Sequence, residues 1–130
     1  SCNILKPLNL NFFYRHKSGK YGFHPKCKEC RKNYNKLKYK EKYPKLRELV
    51  LQHYGGNPPK CQCKGCNESH VLFLTIDHID GKGSEHRRSI GNQSMYEWLR
   101  RKKFPQGFRV LCYNCNISRG KYGYCPHTKK

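Results

Sequence analysis

Thiol, imidazole and hard-oxygen side chains recur in this chain at spacings that suit metal chemistry. Two Cys-x-x-Cys pairs, Cys63-Lys-Gly-Cys66 and Cys112-Tyr-Asn-Cys115, offer four thiolates, the number that closes a tetrahedral structural zinc site. Cys61 competes with Cys63 for a place, and only Cys63 has the knuckle spacing to Cys66. A further pair, Cys27-Lys-Glu-Cys30, finds a third thiolate in Cys2. Its fourth ligand is His16, His24 or a residue ahead of Ser1. Near the C-terminus, Cys125 and His127 suit either a metal or packing of the tail. Residues 71–83, VLFLTIDHIDGKG, pose a different question, because an apolar run ends in Asp77-His78. Asp77 is a hard oxygen ligand, and His78 is an imidazole that titrates near neutrality. Asn116, directly after the second knuckle, adds another oxygen. A zinc shared by the two knuckles brings residue 116 toward the strand that follows residue 66. Neighbours on a strand leave opposite faces, so a joint role for Asp77 and His78 predicts a turn or bulge past Ile76.

Composition narrows the partners. Of 130 residues, 28 are Lys or Arg and 8 are acidic, a net charge of +20. Residues 1–60 carry fifteen basic and three acidic side chains, and residues 61–130 carry thirteen and five. Both halves are basic, so a polyanion is the expected partner, and nucleic acid fits best. No apolar run reaches membrane-spanning length, and the aromatics are interleaved with cysteines rather than gathered on one amphipathic face. Nine cysteines, an odd number, argue against a pure disulfide framework and for metal ligation in a reducing compartment. A thiol-redox role lacks the strand-helix setting it needs. With 35% hydrophobic residues the core must be small and in need of staples.

The elements that must position these residues follow. Residues 1–30 read as a small metal module, with a short helix or hairpin around Phe12, Phe13 and Tyr21 and a turn at Ser18-Gly19. Residues 31–54 read as a basic helix in which Pro44 begins a second segment and Gly55-Gly56 is the stop. From residue 57 the order is knuckle, strand, long loop, helix, strand, knuckle, helix. Ser94 and Glu97 form a capping box for the helix SMYEWLRRKKF, whose Tyr96, Trp98 and Leu99 face the core.

The stretch LTIDHIDG followed by VLCYNCNISRG resembles the HNH, or ββα-metal, nucleases, in particular the zinc-stabilised phage and recombination-type branch related to endonuclease VII. The resemblance covers residues 57–130. Residues 1–45 resemble the zinc-ribbon module C-x-x-C … KPL … FY … C-K-x-C … Y, with Cys2 matching its second cysteine and the first lying before Ser1. The implied architecture is a small α+β metalloprotein. It has a zinc-binding, DNA-contacting module over 1–30, a basic helical connector over 31–56 and an HNH nuclease domain over 57–130. In that domain a four-cysteine structural zinc sits on Cys63, Cys66, Cys112 and Cys115. A second zinc belongs to Cys2, Cys27 and Cys30.

The resemblance implies that His78 is a general base and that Asp77 and Asn116 hold one Mg²⁺ or Mn²⁺ ion. The reaction is phosphodiester hydrolysis in double-stranded or branched DNA, leaving 5′-phosphate and 3′-hydroxyl ends. A phage-encoded, intracellular protein acting in a host cytoplasm is implied as well; the oligomeric state stays open. One departure from the family concerns the Asn that commonly precedes the last strand and holds the histidine ring. QGFRVLC has none, so Gln106 or a backbone carbonyl must serve. Asp80, Glu85 and His86 are supports for the metal-binding and catalytic side chains, extra ligands, or ordinary loop residues. Arg87, Arg88, Arg100, Arg101, Lys102, Lys103, Arg119 and Lys121 are candidates for phosphate contact, against the plainer reading of a solvated face. The alternative function is a zinc-containing DNA-binding module without catalysis.

Overall fold

Lys, Glu, Leu and Arg dominate the stretch after Cys27, residues that lose little rotamer freedom in a helix. They form one helix, α1, Lys28–Gly55, with Pro44 inside it. The separate second segment expected at Pro44 is therefore absent as an element. Proline removes an N–H and crowds the carbonyl four residues back, and the division of the chain into two compact units, Ser1–Pro44 and Lys45–Lys130, falls at this residue. A computed structural model describes residues 2–128.

In the first unit, a hairpin-like turn precedes α1. Arg15 and Phe23 form an antiparallel bridge, His16 N–H donates to the Gly22 carbonyl at 2.9 Å, and His24 N–H donates to that of Tyr14 at 2.9 Å. A 3-10 turn at Lys20–Gly22 closes it, with Tyr21 left-handed at φ 59°. The turn packs on the start of α1, where Lys28 and Arg31 lie over the Tyr14 ring.

In the second unit, a two-stranded antiparallel sheet carries the frame. Strand β1, Leu74–His78, pairs with β2, Phe108–Cys112, in the register Leu74↔Cys112 to His78↔Phe108. Val71–Phe73 forms a 3-10 turn, so the apolar run becomes strand only from Leu74. Asp77 and His78 stay within the regular ladder, without the bulge the sequence suggested. The expected long loop contains a helix, α2, Gly83–Ile90. Glu85 in its first turn and Arg87 and Arg88 in its last complement the helix dipole. Helix α3, Met95–Arg101, has Ser94 at its N-cap, yet the Ser94 hydroxyl makes no capping bond and is buried without a partner. Helix α4, Tyr113–Tyr122, follows β2 without a break and ends at Gly123 in a left-handed conformation. Helices and one small sheet thus make a mixed α+β fold, as the sequence led one to expect.

The core of this unit is thin. Val50 and Leu51 of α1, Leu74, Leu99, Val110 and Leu111 are at most 1% exposed, and Tyr96 is buried beside them. Of the fourteen buried residues among those described in both units, six are cysteines, so thiols make up a large share of the interior. Arg47 of α1 donates to the Val71 carbonyl at 2.7 Å and to the Leu74 carbonyl, tying the start of β1 to the helix. Tyr54 donates to the Pro105 carbonyl at 2.7 Å, and burial raises its phenol to about 12. Gly55 permits the closest approach: a Cβ there would lie 2.8 Å from Val110 Cγ2.

Gly55→Ala sets two effects against each other. Alanine gains about 1 kcal/mol of helix propensity, but forcing a methyl against fully buried Val110 costs about 1–3 kcal/mol. Val110 is locked in the sheet, so the clash wins, and a lower urea midpoint for the variant is the expected result.

Candidate metal centres and the Asp77–His78 cleft

Among the described residues, three groups of side chains could each chelate a metal ion, their ligand atoms lying within 4.8 Å of one another. All three are thiol-based. The first unit holds Cys2, Cys27 and Cys30, with Cys2 and Cys27 Sγ 3.8 Å apart. His16 and His24 pack edge to face against each other and do not join them. Cys27 is lowered to about 7, first because the Cys30 backbone N–H donates to it, with further help from Lys6 Nζ at 3.8 Å. A thiol so poised is close to the thiolate a metal requires.

The second unit holds two groups. Cys61, Cys66, Cys112 and Cys115 form one; Cys63, Cys115, Cys125 and His127 form the other. Spacing favoured Cys63 as the partner of Cys66, whereas the structure gathers Cys61 with Cys66, Cys112 and Cys115. Pairing with β2 explains why. Gln62 N–H donates to the Val110 carbonyl at 2.8 Å, and its side-chain oxygen accepts from Val110 N–H at 2.7 Å. That seats residues 61–63 along the outer edge of β2, where Cys112 N–H donates to Cys61 Sγ at 3.1 Å. Cys125 and His127, which the sequence left between ligation and tail packing, lie among these thiols. Burial pushes the Cys115 thiol up, because a thiolate loses its hydration there.

A separate cleft of about 370 Å³ is bordered by Asp77, His78, Gly83, Arg87, Arg109, Asn116 and Arg119, among others. β1 supplies Asp77 and His78, the first turns of α4 supply Asn116, and α2 supplies Gly83 and Arg87. Asp77 Oδ2 accepts from Arg109 Nε at 2.7 Å, its partner across the ladder. His78 Nε2 stands 2.7 Å from His86 Nδ1. The group holding the His78 ring is thus neither Gln106 nor a carbonyl but His86, one of the three loop residues that the sequence offered as supports for the pair. The His86 ring packs edge-on to Trp98 at 4.1 Å, and its Nε2 is buried without a partner. Burial lowers the His78 pKa, and the nearby His86 adds to the effect. A Cβ at Gly83 would lie 3.1 Å from His78 Nδ1, so glycine leaves that nitrogen open.

The basic residues divide into two sets. Arg87, Arg88, Arg100, Arg101, Lys102, Lys103 and Lys121 are exposed, and of these Arg87 borders the cleft. Arg101 is drawn to Gln93 at 2.7 Å. Arg119 is half-buried and donates to Cys63 Sγ at 3.8 Å, a bond that raises its pKa. Asp80 accepts from the Lys82 backbone, as an ordinary turn residue does.

No family model matches the chain, and neither the curated proteins nor the solved structures contain a significant match. No described helix is long and apolar enough to cross a membrane.

Trp98 is the single tryptophan, so its emission reports on His86. His86→Ala should alter Trp98 fluorescence and cost about 1–2 kcal/mol through lost ring contacts. Unchanged emission from a folded variant would place the imidazole elsewhere.

Proposed function

We propose that this chain is a metal-stabilised DNA-binding protein that hydrolyses phosphodiester bonds in the cleft bordered by Asp77, His78 and Asn116. The thiol groups and the +20 charge support the first half of this reading. The second half rests on one observation: a carboxylate, an imidazole and a carboxamide from two separate elements border the same cleft, with Arg87 at its edge. Asp77 and His78 nevertheless leave opposite faces at the end of an unbulged strand.

Asp77 and Asn116 offer hard oxygens, the donor type that suits Mg²⁺ or Mn²⁺. Such an ion, when bound, offsets charge on the attacked phosphate and on the leaving oxygen. The remaining work belongs to the chain. His78 acts as the base through Nδ1, the nitrogen that Gly83 leaves uncovered. In that tautomer His78 Nε2–H donates to His86 Nδ1, which fixes the ring. Burial favours the neutral imidazole, the form able to accept a proton from water. Arg109 holds Asp77 in place and competes with the ion for its carboxylate. The exposed arginines and lysines hold the phosphate backbone.

A second reading, a DNA-binding module without catalysis, is favoured by a specific fact. Asp77 and His78 already have protein partners, Arg109 and His86, and the thiol groups need no cleft to serve as a frame.

A plasmid nicking assay with Mg²⁺, Mn²⁺ or EDTA separates the two. Hydrolysis predicts metal-dependent conversion of supercoiled DNA, reduced about 10²- to 10⁴-fold in His78→Ala. Gly83→Ala, which presses on Nδ1, should lose about ten- to a hundredfold in rate while still shifting DNA on a gel. Binding without cutting, on both plasmid and branched DNA, would leave the module reading in its place.

A further inference from the structure

Seven ligand side chains converge in the second unit, and one of them, Cys115, belongs to both groups. We propose that these seven hold two zinc ions joined through the Cys115 thiolate. Two tetrahedral ions need eight ligand positions. Cys61, Cys66 and Cys112 fill three, Cys63, Cys125 and His127 fill three more, and a bridging Cys115 fills the last two. A thiolate has lone pairs enough to bind both ions, and soft sulfur with imidazole is the donor set that suits zinc. This assignment stands apart from the nuclease reading and does not depend on it.

Distances agree with metal-bound geometry. Two thiolates at about 2.3 Å on one tetrahedral ion stand about 3.8 Å apart, and a thiolate and an imidazole nitrogen stand about 3.5 Å apart. Cys66 and Cys112 Sγ are separated by 3.9 Å. His127 Nδ1 lies 3.3 Å from Cys115 Sγ and 3.5 Å from Cys125 Sγ. Cys125 is 1% exposed, and its sulfur lies beside an imidazole, a contact that tail packing alone does not call for.

The surroundings are built for the same purpose. After α4, the chain turns at Cys125 through a 3-10 turn, Pro126–Thr128, held by Thr128 N–H and hydroxyl donating to the Cys125 carbonyl. That turn reaches the first knuckle only because residue 65 has no side chain. A Cβ on Gly65 would lie 2.6 Å from the His127 carbonyl oxygen, and its φ of +84° favours glycine as well. Cys115 N–H donates to Cys112 Sγ at 3.4 Å. Six thiolates around two dications leave an excess of negative charge, and the Arg119 guanidinium answers it from 3.8 Å at Cys63 Sγ.

Two measurements on the full chain test this. Native mass spectrometry of zinc-loaded protein should show one zinc fewer in Cys125→Ser/His127→Asn than in the unaltered chain. Any ion held by Cys2, Cys27 and Cys30 is common to both and cancels. An equal zinc content in the two proteins overturns the proposal. Should the double variant fail to fold, spin-active cadmium in the unaltered protein decides alone. Two cadmium resonances split by mutual scalar coupling through the shared sulfur are expected. A single resonance from the second unit, or two without coupling, overturns it.

Discussion

Gln62 binds both backbone polar groups of Val110, one with its own N–H and one with its side-chain oxygen. This pair of hydrogen bonds to a single residue of β2 is the constraint on which the second unit depends. Val110 is fully buried, so its N–H and carbonyl would be costly to leave unpaired. Once Gln62 satisfies them, the outer edge of β2 is covered, and the sulfurs of residues 61, 63 and 66 are brought to those of residues 112 and 115. An apolar core this thin cannot supply much stability. The thiol groups could chelate metal. A structural zinc, where one is bound, contributes about 10 kcal/mol or more of apparent folding free energy, which would make it the main internal fastening.

The register of the sheet transmits that fastening to the cleft. Leu74 faces Cys112 at one end of the ladder, and His78 faces Phe108 at the other. A slip by one residue would turn Leu74 out of the core and exchange the faces of Asp77 and His78. Helix α4 leaves β2 at Cys112, with Cys115 in its first turn and Asn116 next to it. The carboxamide thus follows a buried thiol in the first turns of α4, while α2 brings His86 to His78.

Much of this was legible in local patterns. The Cys-x-x-Cys spacings, the helical composition after Cys27 and the strand ending in Asp77-His78 all mark short-range chemistry. What escaped was set by distant partners. Cys61 rather than Cys63 accompanies Cys66 because β2, some fifty positions later, dictates the seating of Gln62. Helix α2 hid in a glycine-bearing polar stretch with few apolar residues to give it a period. The choice of His86 among the three candidate supports needs Trp98 and Phe108 as walls, and neither is near in sequence. Pro44 signalled a break, and the chain does divide there, but the helix runs on through it.

The Asp77–Arg109 pair has a consequence for how this protein can vary by descent. Each member is only partly exposed, with 17% of the aspartate side chain and 28% of the arginine side chain in contact with solvent. Losing either one strands the other with an unanswered charge, at a cost of about 1–3 kcal/mol, whereas replacing both by apolar groups of similar shape comes nearer to neutral. Natural selection therefore meets positions 77 and 109 as one inherited unit. Among descendants of this chain that keep the fold but not the proposed metal site, the two should change together or not at all.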